Sequence, residues 1–134
     1  MGGGSAADAL VFFGATGDLA YKQIFPALAS MIQRGHLEMP VVGVAKSGWG
    51  LDDLRKRARD SLTEHGGVDE QAFAKLSSLL RYIDGDYADP ATFDALRGEL
   101  GGASHPVHYL AIPPSLFGTV VKELGRSGAP TAPR

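Results

Sequence analysis

A chain of 134 residues, 44% hydrophobic and 21% charged, has the composition of one globular domain and not of a disordered segment. Thirteen Lys and Arg against fifteen Asp and Glu leave a formal charge of -2, so no basic field is present to hold nucleic acid or an anionic membrane. Zero cysteines exclude a disulfide framework, a thiolate metal site and a thiol nucleophile. The apolar runs fall far short of the roughly 20 residues that span a bilayer, and the start lacks a basic, apolar signal peptide. A cytoplasmic location is the expectation.

Residues 1–8, which open Met1-Gly2-Gly3-Gly4-Ser5, read as a flexible leader. Ala9-Leu10-Val11-Phe12-Phe13 is a short apolar run stopped by Gly14, the pattern of a strand buried on both faces. From Asp18 the spacing turns helical, with Ile24, Leu28, Met31 and Ile32 on one face and Gly35 after the end. Pro26 inside it predicts a kink or a delayed start. A second strand spans Val41–Ala45. Leu51, Leu54, Ala58 and Leu62 then share one helical face, with Lys56 and Arg57 on the outer one, until Gly66-Gly67. Phe73, Leu76, Leu79 and Leu80 share the face of the next helix, and Arg81–Asp84 is a short strand. Asp89 suits an N-cap and Pro90 the first helical position, ahead of Phe93, Leu96 and Leu100. A fourth strand over Val107–Ile112 meets Pro113-Pro114, and Phe117, Val120, Val121 and Leu124 mark a final helix. Residues 128–134 read as a disordered tail or a truncation point.

This alternation predicts an α/β fold, a Rossmann-like parallel sheet with helices on both faces and strand order 3-2-1-4. Only about four strands are visible where six are usual, so residues 9–127 read as an incomplete dinucleotide-binding domain.

The most informative segment is Gly14-Ala15-Thr16-Gly17-Asp18-Leu19-Ala20, between the first strand and the first helix. A diphosphate needs close backbone approach and outward amides at a helix N-terminus, which Gly14 and Gly17 permit. Thr16 can add a hydroxyl donor, and Asp18 is expected to cap the helix. The third glycine of G-x-G-x-x-G is absent, and the residues also fit a plain βα turn with convenient glycines. At the end of the second strand stand Lys46 and Ser47 with no acid before Asp52, which favours the 2′-phosphate of NADP over the bare ribose of NAD. Asp86 and Tyr87, after the third strand, lie on the same side of the sheet and fit a cofactor contact or a turn or surface role; Tyr109 in the fourth strand fits core packing before a ligand contact, and Pro113 shapes the loop where the nicotinamide end would pass. Trp49 is expected to cover the sheet edge. His36, His65, His105 and His108 have no spacing of a metal site or a triad.

Several segments together resemble the N-terminal coenzyme domain of the glucose-6-phosphate dehydrogenase family. Gly14 to Ala20 is similar to that family's G-A-S-G-D-L-A loop, with Thr16 in the serine place. Tyr21-Lys22-Gln23-Ile24-Phe25-Pro26-Ala27-Leu28 follows its basic, then apolar-Pro-Ala-Leu pattern, and Tyr109-Leu110-Ala111-Ile112-Pro113-Pro114 resembles its Y-L-A-x-P-P segment. Val42-Gly43-Val44-Ala45-Lys46-Ser47 is similar to the strand ending in its NADP-selecting arginine, here Lys46. The resemblance covers nearly all of Ala9 to Gly128.

It implies an NADP-dependent oxidoreductase that passes a hydride from glucose 6-phosphate to NADP, giving 6-phosphogluconolactone at the first step of the pentose phosphate pathway. It also implies a homo-oligomer for the full-length enzyme. The family's catalytic histidine and sugar-phosphate lysines lie in E-K-P-F-G and R-I-D-H-Y-L-G-K-E strings, and neither occurs here. No catalytic residue and no metal ligand is therefore assigned, and this chain alone is expected to be inactive. Two other readings stay open: a non-catalytic piece that binds nucleotide or pairs with a full subunit, and an unrelated short-chain-type NADP reductase. The latter usually carries a further glycine where Ala20 stands, and a Tyr-x-x-x-Lys pair that this sequence lacks.

Overall fold

Four short strands set the frame of the computed structural model, which describes residues 8–101 and 105–127. They are β1 (Ala9–Phe13), β2 (Val41–Ala45), β3 (Leu80–Asp84) and β4 (Pro106–Leu110). All pair in parallel in the order β3-β2-β1-β4. The third strand thus begins one residue earlier than its sequence pattern suggests. The fourth spans Pro106–Leu110 where Val107–Ile112 was expected, although Ala111 N still donates to Phe13 O at 2.9 Å. Asp8, grouped with the leader by composition, is tied to His105: its amide donates to His105 O (3.2 Å) and its carboxylate accepts His105 N (2.8 Å). Residues 1–7 and 128–134 of the expected leader and tail lie outside the described residues.

The strand pleat sends alternate residues to two cores. Phe12, Val41, Ala45 and Leu80 enter one, beneath α1 (Phe25–Gln33), α2 (Leu51–Glu64) and α3 (Glu70–Leu79). Val11, Phe13, Val42, Val44 and Ile83 enter the other, beneath α4 (Pro90–Leu100) and α5 (Phe117–Ser127). Phe12 meets Phe25 edge-on at 5.7 Å, and Phe13 stacks on Phe93 at 6.0 Å, so aromatic contacts anchor both sides.

The helix ends follow from local chemistry. The carboxylate of Asp69 accepts the amides of Gln71 and Ala72, and that of Asp89 accepts Ala91 N just ahead of Pro90, as expected of an N-cap. Just past the end of α1, Gly35 N donates to Ile32 O and His36 N to Met31 O, the paired bonds of a Schellman motif. Pro26 has no N–H to give, and the turn before it widens into a π-helix, Ala20–Ile24, with Phe25 N donating to Ala20 O. Of the two expectations for Pro26, the delayed start is the one met: α1 begins at Phe25, with Pro26 in its first turn.

Three apolar residues depart from expectation. Met31, Phe117 and Val121 were placed on buried faces but are exposed, while Val120 and Leu124 of α5 are buried. Periodicity marks a stripe, and the sheet covers only its central line.

Gly43 of β2 sits where α2 and the loop after β1 converge. A Cβ there would lie 2.8 Å from Ala15 Cβ, 3.1 Å from Leu54 Cδ2 and 3.3 Å from Phe12 Cζ. Gly43→Ala is therefore expected to destabilise the chain by about 1–3 kcal/mol, the range for an overpacked core, as read from urea unfolding midpoints.

Candidate functional site

Parallel pairing puts the carboxyl ends of all four strands on one side, so the segments after Phe13, Ala45, Asp84 and Leu110 are neighbours. Gly14 is the pivot. It has φ +87, and a Cβ there would lie 2.1 Å from the carbonyl oxygen of Ala111. Its amide donates to Val44 O and to the Tyr87 hydroxyl, each at 2.8 Å, while Ala15 N donates to Val44 O at 3.2 Å. Tyr87 in turn donates to Val44 O at 3.1 Å. Burial, with a smaller opposing effect of the Gly14 amide, raises the Tyr87 pKa and keeps the hydroxyl neutral. Tyr87 is therefore a brace beneath the loop.

Past Gly14 the loop turns outward. Gly17 N donates to Gly14 O (3.0 Å) and Tyr21 N to Gly17 O (3.2 Å), which closes the first helical turn and leaves the amides before it without an acceptor one turn back. Thr16 is half-buried, and Gly17, Asp18 and Leu19 are exposed. Ala15 and Ala20 are fully buried, so only their backbone can face a ligand. Asp18 does not cap the helix as expected: it lies in the first turn, with its carboxylate 3.9 Å from Arg57.

Arg57 corrects a second expectation. It does not lie on an outer solvated face: its guanidinium stands 4.2 Å over the Tyr21 ring and its side chain is 28% exposed. The Tyr21 hydroxyl is held by Glu64, and Ser61 donates to Tyr21 O. The signal was in the sequence, because Leu54, Arg57 and Ser61 follow one another at helical spacing on the inward side. Trp49 lines a cleft with Asp53, Lys56, Arg57 and Asp60 of α2.

The ends of β2 and β3 form a charged pair of loops. Lys46 Nζ lies 3.2 Å from Asp86 Oδ2, with both side chains at least half exposed. Asp84 Oδ1 accepts from Ser47 N (2.8 Å), Gly48 N (3.0 Å) and the Tyr82 hydroxyl (2.6 Å). These donors, the Tyr82 hydroxyl first and the Ser47 amide next, hold the Asp84 carboxyl below its ordinary pKa. The Ala88 amide and then Lys46 do the same for Asp86. Burial, and secondarily the bond to Asp84, pushes the Tyr82 hydroxyl upward. The sequence showed no acid near Lys46; the fold supplies two, from the neighbouring strand.

Tyr109 pairs in register with Phe12 near the end of β4 and is 46% exposed, and Pro113 is exposed in the loop beyond. Tyr109 is thus not packed in the core. His108 stacks on Phe13 at 6.1 Å, a packing role. Among the described residues no helix is long and apolar enough to cross a membrane.

Residues 11–133 match the family described as glucose-6-phosphate dehydrogenase, NAD binding domain. Glucose-6-phosphate 1-dehydrogenase 1 of Mycobacterium tuberculosis is 40% identical over 123 residues, which cover 92% of this chain and 26% of that protein. The crystal structure of glucose-6-phosphate 1-dehydrogenase from Mycobacterium avium superposes with a TM-score of 0.87 at 38% identity, over 92% of this chain and 28% of that one. A glucose-6-phosphate dehydrogenase solved in complex with glucose 6-phosphate gives 0.79 at 28% identity, over 89% and 27%. A short-chain dehydrogenase/reductase from Veillonella parvula gives 0.51 at 14% identity, over 94% and 46%, a likeness of fold alone. The chain spans about a quarter of the length of the curated relatives it matches.

The brace under the loop has a measurable weight. Tyr87→Phe leaves Gly14 N bonded to Val44 O, so the expected loss is that of one or two hydrogen bonds, about 1–2 kcal/mol. Amide hydrogen exchange should locate it as faster exchange at Gly14 and Ala15 relative to the β1–β2 ladder.

Proposed function

This chain belongs to the glucose-6-phosphate dehydrogenase family, and from that membership we propose that it binds NADP across the ends of β1 and β2. We propose further that it is the coenzyme part of an enzyme oxidising glucose 6-phosphate to 6-phosphogluconolactone. The observation that carries this reading is the bend at Gly14, whose geometry has no room for a side chain and leads within four residues into a helix N-terminus. A plain turn between strand and helix would not need the Gly14 amide braced by a tyrosine from 73 residues away.

The residues divide the work. The amides of Thr16, Asp18 and Leu19 suit a diphosphate, since they stand at the positive end of the helix dipole, in a loop that is exposed from Gly17 to Leu19. Lys46 and Ser47 suit the 2′-phosphate, the first by charge and the second by its hydroxyl. Asp86 keeps Lys46 at the strand end through an exposed ion pair that yields at little cost. Tyr109 and Pro113 border the path that leads from β1 toward the end of β4. When bound, NADP supplies the carbon that accepts a hydride from the sugar. Four histidines are present, and none is assigned the role of general base, because the family's catalytic strings do not occur in these 134 residues.

Calorimetric titration of the chain with NADP and with NAD tests this reading. Lys46→Glu is expected to weaken NADP by about 1–3 kcal/mol, the scale of a charge-assisted contact, and to leave NAD nearly unchanged. Equal NADP affinity in both forms would remove Lys46 from the site.

A further inference from the structure

The end of β2 offers a set of donors that the chain already uses. In-register pairing sets Asp84, the last residue of β3, opposite Ala45. From there its Oδ1 accepts the Ser47 and Gly48 amides and the Tyr82 hydroxyl, with Ser47 Oγ at 3.4 Å, and its Oδ2 accepts Gly48 N at 3.1 Å. Two successive amides and a hydroxyl closing on one carboxylate form a small anion nest. Beside it, Asp86 takes the Lys46 ammonium.

A 2′-phosphate needs the same donor types: amides, a hydroxyl and a cation. It also carries a charge of about -1.5 to -2, which a fixed carboxylate repels. A free ribose hydroxyl has the opposite need, since it donates and a carboxylate accepts. The two dinucleotides therefore meet Asp84 differently. The Lys46–Asp86 pair is solvent-exposed and weak, while Asp84 is held by several donors at once, so Asp84 is the firmer obstacle.

We infer that Asp84 sets the preference between NADP and NAD: its carboxylate occupies the 2′-phosphate donors as an internal stand-in, so NADP binds by displacing it and NAD binds with it in place. The inference rests on the cofactor reading given above. It makes the Ser47–Gly48 loop a two-position element, closed on Asp84 or opened onto a phosphate.

The test uses the 134-residue chain and four probes: NADP, NAD, adenosine 2′,5′-bisphosphate and 5′-AMP. Dissociation constants come from calorimetry and from the fluorescence of Trp49, the single tryptophan, which follows Gly48 directly. Asp84→Asn removes the charge but keeps an oxygen to accept the loop amides; Asp84→Ala removes both. Expected is about tenfold tighter NADP and 2′,5′-bisphosphate binding in Asp84→Asn, the size of one charge-assisted bond, with 5′-AMP unchanged and NAD unchanged or weaker. Asp84→Ala should move the NADP-to-NAD ratio the same way even if a looser loop lowers both affinities. If the parent chain binds NADP and NAD but the ratio stays constant or falls in both variants, the inference is overturned and the cofactor reading stands. If the parent chain binds none of the four probes, the cofactor reading fails and takes the inference with it.

Discussion

Gly14 stands where three strands end against one another and no side chain has room. Its amide reaches Val44 O at the end of β2, its Cα faces Ala111 O beyond β4, and the Tyr87 hydroxyl closes the remaining side. A positive φ of 87° lets the chain leave β1 and enter a helix within a few residues. Everything useful about the site follows from that bend. The loop reaches the surface at Gly17, Asp18 and Leu19, and behind them the buried Ala15 packs where only a glycine at position 43 leaves it room. The two glycines act as a pair, one giving the bend its shape and the other giving it a floor.

Electrostatics at the mouth of the site is set by strand order. Because β3 lies beside β2, the acids at and just past the end of β3 arrive next to the residues after β2, so Lys46 faces Asp86 and Ser47 faces Asp84. Exposed pairs of the first kind contribute about 0–1 kcal/mol and are screened by salt. A carboxylate closed on two amides and two hydroxyls is held more firmly, because each bond is charge-assisted. On the other flank Arg57 lies on the Tyr21 ring near Asp18, which brings positive charge beside the glycine loop without placing it in the first turn. The site is therefore a balance of opposed charges at short range, and the chain's net charge of -2 says little about it.

Much of the frame was legible in the sequence because it depends on local rules. An apolar run closed by Gly14 marked β1, the run Val41–Ala45 marked β2, and short stretches at Arg81–Asp84 and before Pro113-Pro114 marked the other two strands; alternation with helical stretches pointed to parallel pairing and the order 3-2-1-4; Asp89-Pro90 and Gly35 marked helix ends through capping chemistry that needs only a few residues. What was not legible depends on contacts between distant segments. Asp84 is 37 residues from the Ser47 amide that it accepts, and nothing in the stretch around Lys46 announces it. Tyr87 looked like a surface or ligand residue because its partner, Gly14, is 73 residues away. Arg57 was read by its charge, although its spacing from Leu54 and Ser61 places it inward. Tyr109 and Val107 lie on the face of β4 shared with Phe12 and Leu10, yet both remain exposed: alternation identifies a face but not whether a helix covers it.

On the proposed function, the amides after Gly14 receive the diphosphate of a dinucleotide. Backbone NMR of the isotopically labelled chain titrated with NADP addresses it residue by residue. The largest amide displacements are expected at Thr16, Asp18 and Leu19, with a second group at Ser47 and Gly48, while α4 and α5 stay still. Saturable displacements centred elsewhere, with Thr16 to Leu19 unmoved, would contradict it.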